Sequence, residues 1–183
     1  MIKGIALEQG KNVVLLGSEP FKSLPTTYQI ALAGRTSGNL ATVIEDHPLT
    51  RSFPHDGFCG WQFRQLMEEG KAVRFESNDV PFKPIIEVVS THKCAIRQAA
   101  LFEFRALKGK VLVCSFRFAE SDPAAVWLKA KLLSYAASDA FEPETTMSQQ
   151  QLEALMNAQE IQVTANTNLA FDPAVGKGAN RKK

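Results

Sequence analysis

The chain is short of the residues that usually announce chemistry. Its 183 residues include three cysteines, three histidines, two tryptophans and two tyrosines. Cys59, Cys94 and Cys114 are odd in number and far apart, with no C-x-x-C pair, so neither a zinc site nor a disulfide framework is indicated. Reduced, burial-prone thiols in a cytoplasmic or otherwise protected setting are expected. Charge bias is also missing. Twenty-one basic and nineteen acidic residues leave a formal charge of +2, which gives no argument for a nucleic-acid or membrane partner. Much of that excess sits in Lys177, Arg181, Lys182 and Lys183. The apolar runs are too short to span a bilayer, and Met1 is not followed by a charged start and an apolar core. No internal repeat is visible. Gly34-x-x-x-Gly38 lacks the lysine and the strand–helix context of a phosphate-cradling loop.

One stretch is rich where the rest is poor. Residues 46–62 hold two histidines, two prolines, two glycines, three aromatics and a cysteine, and fit neither a helical nor a strand period. Pro48 and Pro54 bias His47 and Phe53 away from helical backbone, so an extended, turning loop is expected here. Such a loop either carries function or crosses the domain as a packed segment.

The remainder reads as α/β. Residues 2–8 suit the end of a helix capped by Gly10, and 12–17 a strand buried on both faces. Together they are half of a parallel α/β unit, so the chain is expected to start partway into its domain. After a turn-rich 18–25, residues 28–33 are ambiguous, 34–39 loop and 40–44 strand. A short helix over 61–68 stopped by Gly70, a strand at 72–75 and a loop at 77–84 follow. Strands are expected at 84–89, 98–105 and 110–118, the last two joined as a hairpin through 106–109. Ser121-Asp122-Pro123 opens the clearest helix, with Val126, Ala130, Leu133 and Ala137 as its apolar stripe, widened by Trp127, Leu132 and Tyr135. Ser148 to Gln151 is a capping box before Leu152, Leu155 and Met156. The expected domain is 1–158, and 159–183 is expected to be a mobile basic tail.

Candidate chemistry is thin. Cys59 in Gly57-Phe58-Cys59-Gly60 invites comparison with a nucleophile on a strained turn, yet loop precedes it and no histidine–carboxylate motif follows. His47, His55, Asp56 and His92 lack metal-ligand spacing, so no metal is expected. His47, His55 and Asp56 are expected to pin the loop. Glu87 and Glu103 lie on strands, where each reads as an exposed partner of Arg97 or Arg105. Phe53, Phe58 and Trp61 are either a sugar-stacking platform or the packing that locks the loop, in which case removing the Trp61 ring costs stability. No cofactor motif is present, and none is expected.

The order His47-Pro48-Leu49, Phe53-Pro54-His55, Trp61-Gln62-Phe63, Pro84-Ile85-Ile86, Leu101-Phe102-Glu103-Phe104, Gly109-Lys110-Val111-Leu112-Val113-Cys114-Ser115 and Phe141-Glu142-Pro143 carries a resemblance. It is similar to the glutamine-amidotransferase-like domain near the C-terminus of many bacterial family 2 glycoside hydrolases. The resemblance implies a flavodoxin-like layered sheet with flanking helices, N-terminally incomplete here. Active amidotransferases of that fold use a Cys–His–Glu triad, which this chain does not match. The expected role is therefore a non-catalytic accessory domain or C-terminal fragment of a carbohydrate-active enzyme. Its expected partners are the other domains of a parent glycosidase or a second copy. A small hydrolase or amidotransferase-like enzyme using Cys59, and a carbohydrate-binding module using Trp61, are the alternatives.

Overall fold

The computed structural model describes residues 4–28, 39–68, 70–90 and 96–157. The expected tail at 159–183, His92, Cys94, the ambiguous segment after Tyr28 and most of the 34–39 loop lie outside them. The elements run α1 (Gly4–Glu8), β1 (Asn12–Leu16), β2 (Ser23–Pro25), β3 (Asn39–Ile44), a 3-10 turn (Trp61–Phe63), α2 (Arg64–Met67), β4 (Lys71–Phe75), β5 (Pro84–Ser90), β6 (Arg97–Ala106), β7 (Gly109–Cys114), α3 (Pro123–Ala136) and α4 (Gln149–Met156).

Among the described residues seven strands form one sheet in a mixed α/β fold. The long β6 is its spine. One side of β6 pairs with β5; the other takes β4 at Arg97–Ala99 and then β7 at Leu101–Ala106, all antiparallel. Ser115 stitches the seam between β4 and β7: its hydroxyl donates to the Lys71 carbonyl at 2.7 Å and its amide to the Ala100 carbonyl at 2.8 Å. β3 extends the sheet beyond β5, and β2 beyond β4. Only β1 and β7 pair in parallel among the described strands. A flavodoxin-like sheet is mostly parallel, whereas this one is mostly antiparallel, because short connections such as 106–109 turn the chain straight back.

Side chains of β6 and β7 divide between two cores, alternating except at Ala100 and Leu101, which share one. Ala100, Leu101, Leu112 and Cys114 meet Leu66, Met67, Leu128 and Leu132 of α2 and α3 on one face. Val111, Val113, Phe102 and Phe104 meet Leu7 of α1 and Leu152 and Leu155 of α4 on the other. Covering both faces explains why these strands read as nearly continuous apolar runs. β1 departs from expectation. It closes one end of the sheet, and of its residues only Val13 is buried, not the whole strand.

Helix ends follow local chemistry. The Asp122 carboxylate accepts the Ala124 amide at 3.1 Å ahead of Pro123, which has no amide hydrogen to lose. Ser148 and Gln151 form the reciprocal capping box. α3 buries only part of the expected face: Leu132 and Tyr135 of the widened stripe turn inward, and its Val126–Ala137 line does not. Ala125, Leu128, Leu132, Tyr135 and Ala136 point inward, while Val126 is 53% and Leu133 47% exposed. A helix apolar on nearly every side has no periodic signal to select the inner face.

Candidate functional site

The 46–62 loop folds over the α2/α3 face of the sheet. Leu49, Phe53 and Cys59 are buried in that core. Phe53, only 5% exposed, meets Phe63 edge-on at 4.8 Å between ring centroids and Trp127 at 5.1 Å. Its ring is packing, and it is not available to stack a sugar. Phe58 and Trp61 are the opposite, 52% and 73% exposed, with Tyr28 packed on the indole at 5.4 Å. Trp61 therefore does not lock the loop by burial.

Local hydrogen bonds shape the loop. The His47 Nδ1 accepts the Leu49 amide at 3.3 Å, and the His55 Nδ1 accepts the Gly57 amide at 3.1 Å. Thr50 donates its hydroxyl to the Glu45 carbonyl at 3.0 Å, and the Cys59 amide donates to the Thr42 hydroxyl at 2.8 Å. Asp56 is exposed. His47 and His55 are on separate turns and do not converge.

A cleft of about 590 Å³ opens beside the loop, between it, β5 and the crossing at 140–145. Its floor joins three elements. Tyr135 of α3 donates its hydroxyl to Glu103 Oε2 of β6 at 3.1 Å, and His47 Nε2 lies 3.6 Å from Glu103 Oε1 and 3.4 Å from the tyrosine oxygen. With Nδ1 accepting from Leu49, the neutral imidazole carries its proton on Nε2, toward the carboxylate. Burial first, and then the charge of Glu103, push the Tyr135 hydroxyl above its ordinary range, so it stays a hydrogen-bond donor.

Glu103 is thus not the exposed partner of an arginine. Arg105 instead holds the Pro143 carbonyl at 2.8 Å and pairs with Glu142, which Lys110 also contacts. Arg97 donates to the Ser77 carbonyl at 2.7 Å and lies over the Phe82 ring. Asp46 pairs with Arg51 and Glu144 with Lys83 around the rim. These charges close on one another, and the floor triad reads as a cross-tie between loop, sheet and helix. Glu103 and Tyr135 are 32 residues apart and His47 and Tyr135 are 88 apart, so no spacing rule could have grouped them.

Cys59 and Cys114 are free and buried. Burial pushes both Cys59 and Cys114 up to about 12, which leaves them protonated at neutral pH. Among the described residues no group of three or more His, Cys, Asp and Glu side chains is placed to hold a metal. No helix among them is long and apolar enough to cross a membrane.

Fold and site together define a two-faced mixed α/β domain with a packed loop, a polar cross-tie and one apolar helix face turned outward. The chain belongs to the domain family of unknown function DUF8487, which it matches over residues 4–157. No curated protein matches it.

Proposed function

We propose that this chain is a non-catalytic accessory module of a carbohydrate-active enzyme, and that it works by attachment. One observation carries the reading: the outer face of α3 presents Val126, Ala130, Leu133 and Ala137 at helical spacing, beside the end strand β1 on which α3 packs. Asn12-Val13-Val14-Leu15-Leu16 has no charge, proline or bulge to blunt an edge. An uncharged edge next to an apolar helix face is a surface to be covered.

The resemblance to the glutamine-amidotransferase-like domains of family 2 glycoside hydrolases supplies the parent. In this reading β1 and β7 form the parallel part of a mixed sheet, in a cytoplasmic protein, and another segment of the parent adds its strand to β1. The protonated thiols argue against the alternative in which Cys59 acts as a nucleophile.

In the isolated chain a second copy satisfies the same surface. Two β1 edges pair antiparallel about a twofold axis and bring the two α3 faces together. Light scattering across the micromolar range tests this. The wild type is expected to be a dimer and Leu133→Glu a folded monomer. A wild type that stays monomeric contradicts the attachment surface, and hydrolysis of aryl glycosides at an appreciable rate contradicts the non-catalytic role.

A further inference from the structure

The cleft beside the loop holds more negative charge than its ion pairs neutralise. Six carboxylates line it, against the two cations Arg51 and Lys83. Arg51 is taken by Asp46, Lys83 by Glu144, and Glu142 by Lys110 and Arg105. Glu45, Glu87 and Glu103 enter none of these pairs among the described residues. We infer that the cleft binds a small organic primary amine, whose ammonium group donates to the Glu103 carboxylate on the floor while its body lies against Phe82, Pro84 and Ile85.

Charge alone does not make a site, and Glu103 supplies the second observation. Its side chain is only 10% exposed. Oε2 accepts the Tyr135 hydroxyl at 3.1 Å, which fixes the carboxylate. Oε1 accepts no hydrogen bond among the described residues, because His47 Nε2 at 3.6 Å is out of range. That oxygen is not sealed: it keeps accessible surface, and the residue lines the cleft. A carboxylate nine-tenths removed from water, with one oxygen lacking a donor, carries a desolvation cost that a charge-assisted bond from an ammonium group removes. The tyrosine oxygen has spent its proton on Glu103, so it too presents lone pairs.

The lining narrows the class. An anion is opposed by the unpaired carboxylates, and a neutral polyol leaves their charge uncompensated. Among the described residues no three His, Cys, Asp and Glu side chains are placed to share a metal ion, which favours a cation with a body over a bare one. The volume of about 590 Å³ suits a small molecule, and Phe82, Pro84 and Ile85 give that body an apolar wall. An amino sugar and an alkyl amine both carry the required group. The site shares no residue with the attachment surface and goes beyond the role proposed for it.

Ligand-observed NMR on the full chain at neutral pH tests the inference with two amines, methyl glucosaminide and diaminobutane, beside their neutral counterparts, methyl glucoside and butanediol. At least one amine is expected to bind saturably, in the roughly millimolar range of so small a ligand, and at least tenfold tighter than its counterpart. Which amine binds tells a saccharide source from an alkyl one. Glu103→Gln and Glu87→Gln are each expected to weaken binding at least fivefold, and Arg51→Gln, which removes a rim cation, to leave it no weaker. Glutamine keeps the shape of glutamate and an acceptor for Tyr135, and thermal melts verify folding; should Glu103→Gln fail to fold, Glu87→Gln carries the test. The inference is overturned if neither amine binds saturably, if a neutral counterpart binds as tightly, or if binding is unchanged in either folded carboxylate variant. Failure here with dimerisation intact removes the amine site alone.

Discussion

Two aromatics of the same loop, eight residues apart, should differ sharply when truncated. Phe53 is 5% exposed and wedged between Phe63 and Trp127. Phe53→Ala removes a full ring from a closed environment and opens a cavity beneath the loop, at a cost of about 3–5 kcal/mol. Trp61 is the larger residue but 73% exposed, and among the described residues its one ring contact is with Tyr28. Losing such a contact costs on the order of 0.5–1.5 kcal/mol, with little cavity to add. Urea denaturation followed by far-ultraviolet circular dichroism measures both, because the secondary structure reports on either variant. The midpoint should fall steeply for Phe53→Ala and little for Trp61→Ala, with similar slopes if both unfold in two states. Equal losses for the two variants would refute the assignment of Phe53 to packing and Trp61 to the surface.

Two further expectations concern buried polar groups. Tyr135→Phe deletes the hydroxyl that donates to Glu103 at 3.1 Å and should cost about 1.5–3 kcal/mol, the usual range for a hydrogen bond to a charged group; the urea midpoint reads it. Cys59 and Cys114 should resist iodoacetamide in the native protein at pH 8 and react on unfolding. Because their folded values are raised from 9.0 to about 12, the folded state holds protons that the unfolded state releases. Their contribution to stability should be constant below pH 9 and be lost between 9 and 12. Thermal melts across that window check the sign, and rising stability would contradict the burial.

The features legible in the sequence are those set by near neighbours. Asp122 before Pro123, Ser148 three residues before Gln151, and the turn between β6 and β7 each declare an element from a few adjacent residues. What was not legible depended on distant partners. The alternation of Glu103 among apolar neighbours marks a polar position on a strand, but its partners are Tyr135 and His47, which only the folded sheet brings near. The stripe of Val126, Ala130, Leu133 and Ala137 is visible by spacing, yet α3 is apolar on its other side too. Periodicity found the stripe and could not say which way it faced. Phe53 and Trp61 share a loop and a residue class, and only packing separates a core ring from an exposed one. The parallel expectation drawn from β1 holds for its pairing with β7 and stops there, because the hairpin at 106–109 and the return through β4 and β5 make the rest antiparallel.

The attachment surface is tested most directly by hydrogen exchange at the amides of β1, residues 12–16. If a second copy covers that edge, those amides that do not face β7 should exchange slowly in the wild type at high protein concentration. They should exchange faster on dilution, and fast at every concentration in Leu133→Glu. Fast exchange in the wild type at all concentrations, or protection that is the same in Leu133→Glu, would contradict the account.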